Sequence, residues 1–317
     1  MSEERASARQ GEPDRTILSV RNLGISFGMY QKGLKRTFLP VIRSLCLDVR
    51  AGEILAVIGS SGSGKSLLAH AILGILPGNA AVSGEIRYRG ETLTKRRRER
   101  YRGTEIMLIP QSPDYLDPLM RVGKQVVGTH GDKAKLREAF ARYGLAPETE
   151  RMYPFKLSGG MARRVLISTA LVGDPKLIIA DEPTPGLSAE LAKGTFAHFR
   201  EMADNGVAVL LITHDVDLAL GFSDRIAALY AGTTMEIAPT SDFRAGKNAL
   251  RHPYSKAFID ALPQNGFRPI AGAQPYAGDL PEGCLFAGRC PERTDECAGA
   301  APIRRLRGGE VRCIHAT

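Results

Sequence analysis

The chain has 317 residues, of which 43% are hydrophobic and 24% charged, and a formal net charge of +9. That balance excludes a collagen-like or wholly disordered polymer. Its longest apolar runs, such as residues 207–212, fall far short of the ~20 residues a membrane-spanning helix needs. The positive charge suits nucleic acid, anionic headgroups or a phosphorylated ligand without choosing among them.

Residues 1–16 are polar and charged with no apolar core, so they read as a disordered tail and not as a secretory signal, which predicts a cytoplasmic protein. Residues 17–27 alternate (Leu18, Val20, Leu23, Ile25, Phe27) as a half-buried strand does. Residues 28–38 read as a polar loop. Strands follow at 41–49 and 54–58. The second is apolar throughout, as in a parallel sheet covered on both faces. A helix is predicted over 67–76, stopped by Pro77-Gly78. The basic run around Arg96-Arg97-Arg98 reads as a solvated face. Further strand-like pieces fall at 86–88, 105–109, 177–181, 207–213 and 225–230, and residues 122–171 are mainly helical. Strands, a helical middle and a return to strand–helix alternation predict an α/β fold with a helical insertion over about 112–172. The pattern fades near residue 245. Residues 246–317 are too poor in aliphatics for a large core of their own, so a metal staple is expected to help them fold.

Gly59-Ser60-Ser61-Gly62-Ser63-Gly64-Lys65-Ser66 fits G-x-x-x-x-G-K-S/T and lies between an apolar strand and a helix opened by Leu67. Glycines let the backbone curl so that its N–H groups face phosphate oxygens, and the helix N-terminus adds partial positive charge. Lys65 is expected to reach the β- and γ-phosphates of ATP, and Ser66 to ligate Mg2+. The strand over 177–181 delivers Asp181 to the Mg2+ shell and Glu182 as the group that polarises an attacking water. Cys46 stands alone in an apolar stretch and reads as a core residue. Cys284, Cys290, Cys297 and Cys313 crowd into the last 34 residues, where clustered thiols in a reducing compartment more often bind metal than form disulfides.

P-loops serve kinases, GTPases and helicases alike. Leu157-Ser158-Gly159-Gly160-Met161 narrows the choice: it resembles the LSGGQ signature of the ATP-binding cassette (ABC) ATPases, with Met161 in place of Gln. The resemblance implies an antiparallel β-subdomain beside the core. It also implies that Ser158, Gly159 and Gly160 approach the γ-phosphate held by a second subunit. Gln111 falls at the Q-loop position, linking Mg2+ to a membrane subunit, and His214 at the switch position facing the γ-phosphate. The catalytic set is then Glu182, His214 and Lys65. Ser188 stands where the family's D-loop carries Asp, and Tyr30 and Phe38 are candidates to stack on adenine.

A narrower resemblance, to the peptide/nickel importer ATPases, spans about 17–317. It rests on Gln111-Ser112-Pro113-Asp114-Tyr115-Leu116-Asp117-Pro118-Leu119-Met120, on His252-Pro253-Tyr254-Ser255-Lys256-Ala257-Phe258, and on Gly283-Cys284-Leu285-Phe286-Ala287-Gly288-Arg289-Cys290-Pro291. It implies an ATP-hydrolysing motor for import of peptides or nickel and other metal chelates. The motor would sit on the cytoplasmic face of the membrane through two permease subunits. A second ATPase subunit (a heterodimer) and an extracytoplasmic solute-binding protein complete the expected partners, with no nucleic acid. The resemblance also points to a 4Fe–4S cluster on Cys284, Cys290, Cys297 and Cys313, with Zn2+ as the competing chemistry, metal-free thiols as a third reading, and His315 as a surface residue. Two rival readings are a soluble ABC ATPase acting on DNA or the ribosome, and a regulatory subunit with little turnover. A single cassette without heptads weighs against the first; intact Lys65, Asp181, Glu182 and His214 weigh against the second.

Overall fold

The computed structural model describes residues 16–30, 36–60, 62–128 and 132–317. Two long strands, β1 (Thr16–Tyr30) and β2 (Arg36–Arg50), pair antiparallel, and β4 (Ala80–Tyr88) and β5 (Glu91–Thr92) extend this arm beyond β1. Much of the segment read as a loop is therefore strand, with Gly28 opposite Phe38 and Tyr30 opposite Arg36. Five strands run parallel in the order β9 (Arg225–Tyr230), β3 (Ile54–Gly59), β8 (Ala208–Ile212), β7 (Leu177–Asp181) and β6 (Ile106–Ile109). β10 (Thr233–Pro239) pairs antiparallel with β9 and meets β2 at Thr233 and Ser44, making one continuous sheet.

The parallel strands are buried on both faces, which is why they are apolar without alternation. Ile54, Ala56 and Ile58 of β3 point to one side, with Phe196 and Phe199 of α6 (Ala189–Asp204). Leu55 and Val57 point to the other, with Leu68 and Ile72 of α1 (Lys65–Leu73). α1 ends at Gly74, three residues before the Pro-Gly stop, and there α2 (Lys95–Tyr101) packs against it. Arg98 Nε donates to the Ile72 carbonyl at 3.1 Å and Arg102 Nη1 to that of Leu73 at 3.4 Å. The basic run thus places two cations at the negative end of α1 and is not merely a solvated face. A third cluster joins α3 (Val122–Val127), α4 (Lys133–Arg142) and α5 (Gly159–Val172) around Val122, Phe140 and Leu166.

After α7 (Val216–Phe222) and α8 (Thr240–Arg244), the chain continues through α9 (Pro253–Asp260) to a hairpin of β11 (Arg304–Leu306) and β12 (Gly309–Val311). β12 pairs with β10, with Glu236 opposite Val311. Tyr254, Leu285 and Phe286 join the hydrophobic cluster of β3 and α6. A buried ion pair adds to this: Arg251 Nη1 lies 3.2 Å from Glu236 Oε1, and both side chains are almost fully enclosed. No helix among the described residues is long and apolar enough to cross a membrane.

Candidate active site

The register of the parallel strands sets the site. Val57 lies opposite Ile212, and Ile212 opposite Asp181, so the ends of β3, β8 and β7 reach one edge of the sheet together. Gly59 leaves β3 at φ 154°, and a Cβ there would run into the Leu229 carbonyl of the adjacent strand. Gly64 caps α1 in the left-handed region at φ 87°, with Ile42 pressed against where a Cβ would stand. Only glycine fits the turn at these two positions.

Lys65 is 8% exposed, and its Nζ donates to the carbonyls of Gly59 (2.9 Å) and Ser60 (3.1 Å). Burial lowers the ammonium's pKa, and the charges of Glu182 and Asp181 oppose that shift. Asp181 is 3% exposed; burial raises its carboxyl pKa, while a hydrogen bond with Ser66 acts the other way. Among the described residues, its Oδ1 is buried without a hydrogen-bond partner, as is the Ser63 hydroxyl. An orphaned carboxylate oxygen beside the Ser66 hydroxyl is a donor set suited to a hard divalent cation such as Mg2+.

Glu182 follows β7 at φ 46°, a left-handed conformation that costs a non-glycine residue energy. The turn is fixed by its N–H donating to the Ile212 carbonyl at 2.8 Å. It aims Oε2 at two further predicted residues, His214 Nδ1 at 3.0 Å and Gln111 Nε2 at 3.3 Å.

Gly59, Gly62, Gly64, Lys65, Ser66, Leu67, Gln111, Glu182 and His214 line one cavity of about 520 Å³, together with Val41. Ser61 lies outside the described residues. Ser158, Gly159 and Gly160 do not line that cavity. Ser158 is exposed and caps α5, its Oγ accepting from the Met161 N–H at 3.2 Å. Tyr30 and Phe38 are also absent from the lining and largely exposed. Val41 went unread in the sequence because an aliphatic strand residue carries no mark of a binding site.

The iron–sulfur expectation is corrected. Cys284, Cys290, Cys297 and Cys313 do border one small cavity, shared with His252 and His315. Its volume is about 10 Å³, roughly the room one water needs and far below that of a 4Fe–4S cluster. Among the described residues no group of three or more His, Cys, Asp or Glu side chains is disposed to hold a metal ion, so neither the cluster nor Zn2+ fits. Burial raises the Cys284 and Cys313 thiol pKa values and pushes Cys290 up to about 11, which keeps them neutral. The expected staple is replaced by the apolar packing of Leu285 and Phe286 and by the Arg251–Glu236 pair. Cys46, 8% exposed, is a core residue as its sequence context indicates.

A strand-borne P-loop, the Asp181–Glu182 pair and His214 at one sheet edge, together with comparison to known proteins, define an ABC-type ATPase. Residues 42–185 match the ABC transporter family, and residues 235–297 match the oligopeptide/dipeptide transporter C-terminal region. The oligopeptide transport ATP-binding protein OppD of Salmonella typhimurium is 32% identical over 98% of this chain and 97% of its own. The dipeptide transport ATP-binding protein DppD of Bacillus subtilis is 33% identical over 92% and 91%. A dimeric ATP-binding cassette in a post-hydrolysis state with ADP and Pi shares the fold, with a TM-score of 0.61 at 23% identity over 71% of this chain and 99% of that one. The chain belongs to the family of ATP-binding subunits of oligopeptide/dipeptide ABC importers. It is an ATPase that works on ATP with Mg2+, the motor of such an importer.

Proposed function

We propose that this chain powers peptide uptake as one of two different ATPase subunits that close on ATP at their shared interface. The observation that carries the two-subunit reading is the separation of the signature from its own phosphate site. Ser158 and Gly159 are exposed at the start of α5, Gly160 is half-buried, and all three are missing from the cavity of Lys65 and Glu182. An exposed helix N-terminus with no phosphate of its own to bind is suited to a γ-phosphate presented by a partner. The peptide cargo is favoured over nickel by the names of the relatives and by the C-terminal match over 235–297.

In this reading Lys65 leaves the Gly59 and Ser60 carbonyls for the β- and γ-phosphate oxygens. Ser66 and Asp181 hold Mg2+, which when bound neutralises charge on the phosphates. Glu182 accepts a proton from the water that attacks the γ-phosphorus in line as the bond to ADP breaks. His214 orients the Glu182 carboxylate and contacts the γ-phosphate, and Gln111 reports the state of the site to the helical segment. A groove of about 1270 Å³ between β6 and α3, lined by Met107, Pro110, Tyr115, Leu116 and Val126, is suited to receive a permease segment. Two permeases would hold the chain at the cytoplasmic face, and a solute-binding protein outside would deliver the cargo.

Uptake of a labelled dipeptide and of labelled nickel, in source cells carrying wild type or Glu182→Gln, tests this. Collapse of dipeptide uptake alone is expected. Collapse of nickel uptake alone would assign the motor to metal import instead.

A further inference from the structure

Beyond the P-loop's own residues, we infer that Gln274 is a positioning residue for the phosphate site, bracing the P-loop from the C-terminal part of the chain. The Ser60 hydroxyl donates to Gln274 Oε1 at 2.5 Å, joining residues 214 positions apart. Ser60 is the second residue of the phosphate loop, and its carbonyl is one of the two that hold Lys65 Nζ. A contact at Ser60 therefore acts on the loop and on the resting place of the lysine at once.

Gln274 lies in an irregular stretch, so its position has to be fixed by neighbours, and it is. Arg289 Nε donates to the Ala271 carbonyl at 2.7 Å, and Nη2 to that of Ile270 at 2.8 Å. The same guanidinium donates through Nη1 to the Tyr230 hydroxyl at 3.2 Å, with its carbon 5.8 Å from the centre of the Tyr230 ring. Tyr230 ends β9, one residue after Leu229, which pairs with Gly59 where the P-loop begins. Further along, Arg43 Nη1 of β2 donates to the Pro281 carbonyl at 2.9 Å. The strap over 270–281 is thus tied at both ends to the strands that flank the phosphate loop, with Gln274 between the ties.

A phosphate loop binds by presenting several backbone N–H groups at once, so its affinity scales with the fraction of time it holds that shape. Bracing Ser60 raises that fraction and spares part of the ordering cost on binding. The ground state and the transition state use the same loop geometry, so the effect falls on KM and leaves kcat in place.

The inference rests on Gly59–Ser66 being the ATP phosphate site, and the test separates the two. ATP affinity, KM and kcat are measured on the assembled transporter carrying Gln274→Ala, the size-matched Gln274→Met, Ser60→Ala, the Gln274→Met/Ser60→Ala double variant, or Lys65→Ala. Losing one hydrogen bond is expected to raise KM for ATP about three- to tenfold in each single variant at positions 60 and 274, with kcat within about twofold in the Gln274 variants. The double variant is expected to be no worse than the worse single. An unchanged KM in both Gln274 variants, a fall in kcat at constant KM, or effects that multiply in the double variant would overturn the inference. Lys65→Ala binding ATP as tightly as wild type would remove its premise.

Discussion

His214 Nδ1 lies 3.0 Å from Glu182 Oε2, and the same carboxylate oxygen is within 3.3 Å of Gln111 Nε2. One oxygen is thus shared between the end of β8 and the segment leading into the helical cluster. The backbone of Glu182 is held in a left-handed turn by the Ile212 carbonyl, so this convergence is built into the sheet edge and does not rest on a side-chain rotamer alone. On the proposed mechanism, drawing Gln111 and His214 toward bound nucleotide would free this carboxylate to face water.

Glu182→Gln keeps the shape and both neighbours but cannot take a proton. Turnover is expected to fall by about 10²–10⁴-fold while ATP affinity stays within a few-fold of wild type. His214→Ala removes a group that orients the base and is expected to cost a comparable factor in kcat. Single-turnover hydrolysis and nucleotide titration check both. Equal single-turnover rates for Glu182→Gln and wild type would remove Glu182 as the base.

The parts of this site that the sequence displays are those where local chemistry and local position coincide. The apolar run over 177–181 predicts β7, which ends there because the run meets Asp181 and Glu182. β10 escaped: Thr233, Thr234 and Glu236 look like surface residues, and the partner that buries Glu236 is Arg251, fifteen positions later. The segment 28–38 reads as loop because Gly28, Lys32, Gly33 and Lys35 interrupt the apolar pattern, whereas the pairing of Gly28 with Phe38 and of Tyr30 with Arg36 is made by the backbone and leaves no apolar mark. The cysteines misled for a related reason. Spacing along the chain says which thiols are near one another, and here they do meet; it says nothing of the room left between them.

Ser188 replaces the D-loop aspartate, yet the structural task at that position is kept. Its Oγ accepts from the Leu191 N–H at 3.3 Å and caps α6. Asp caps a helix about as well as Ser, so Ser188→Asp is expected to leave the melting temperature within a degree or two of wild type, whereas Ser188→Ala costs about 1 kcal/mol. In the proposed two-subunit arrangement the added charge would act at the shared interface, and it is expected to raise the Hill coefficient for ATP. Thermal melts and ATP-dependence curves for both variants separate the cap from the coupling.

Arg251 is 1% exposed and serves two carboxylates, Glu236 at 3.2 Å and Asp242 at 2.7 Å, while its Nε donates to the Leu306 carbonyl at 2.6 Å. Glu236 also accepts the N–H groups of Arg251 and His252, each at 2.9 Å. Arg251→Met strands a fully buried carboxylate and is expected to destabilise the chain by about 3–5 kcal/mol. Adding Glu236→Gln removes the stranded charge and is expected to restore part of that loss. Denaturant titrations of both variants decide the point: a double variant less stable than Arg251→Met would show that the buried charge is not what the arginine offsets.

His198 on α6 supplies a pH test away from the nucleotide. It is 8% exposed, and its Nδ1 lies 3.1 Å from the Tyr143 hydroxyl. Burial first, and then the Arg142 cation, push its pKa down to about 4, with Glu201 opposing. The unfolded chain takes up this proton near pH 6.5, whereas the folded one refuses it until about pH 4. Above pH 6.5 the histidine is neutral in both states and contributes no pH dependence. Between these values stability falls as pH falls, by about 1.4 kcal/mol per unit. From pH 7 to pH 5, wild type is therefore expected to lose about 2 kcal/mol more than His198→Gln, which keeps a polar partner for Tyr143 but does not titrate. Parallel losses in the two proteins would mean that His198 is protonated as readily in the fold as outside it.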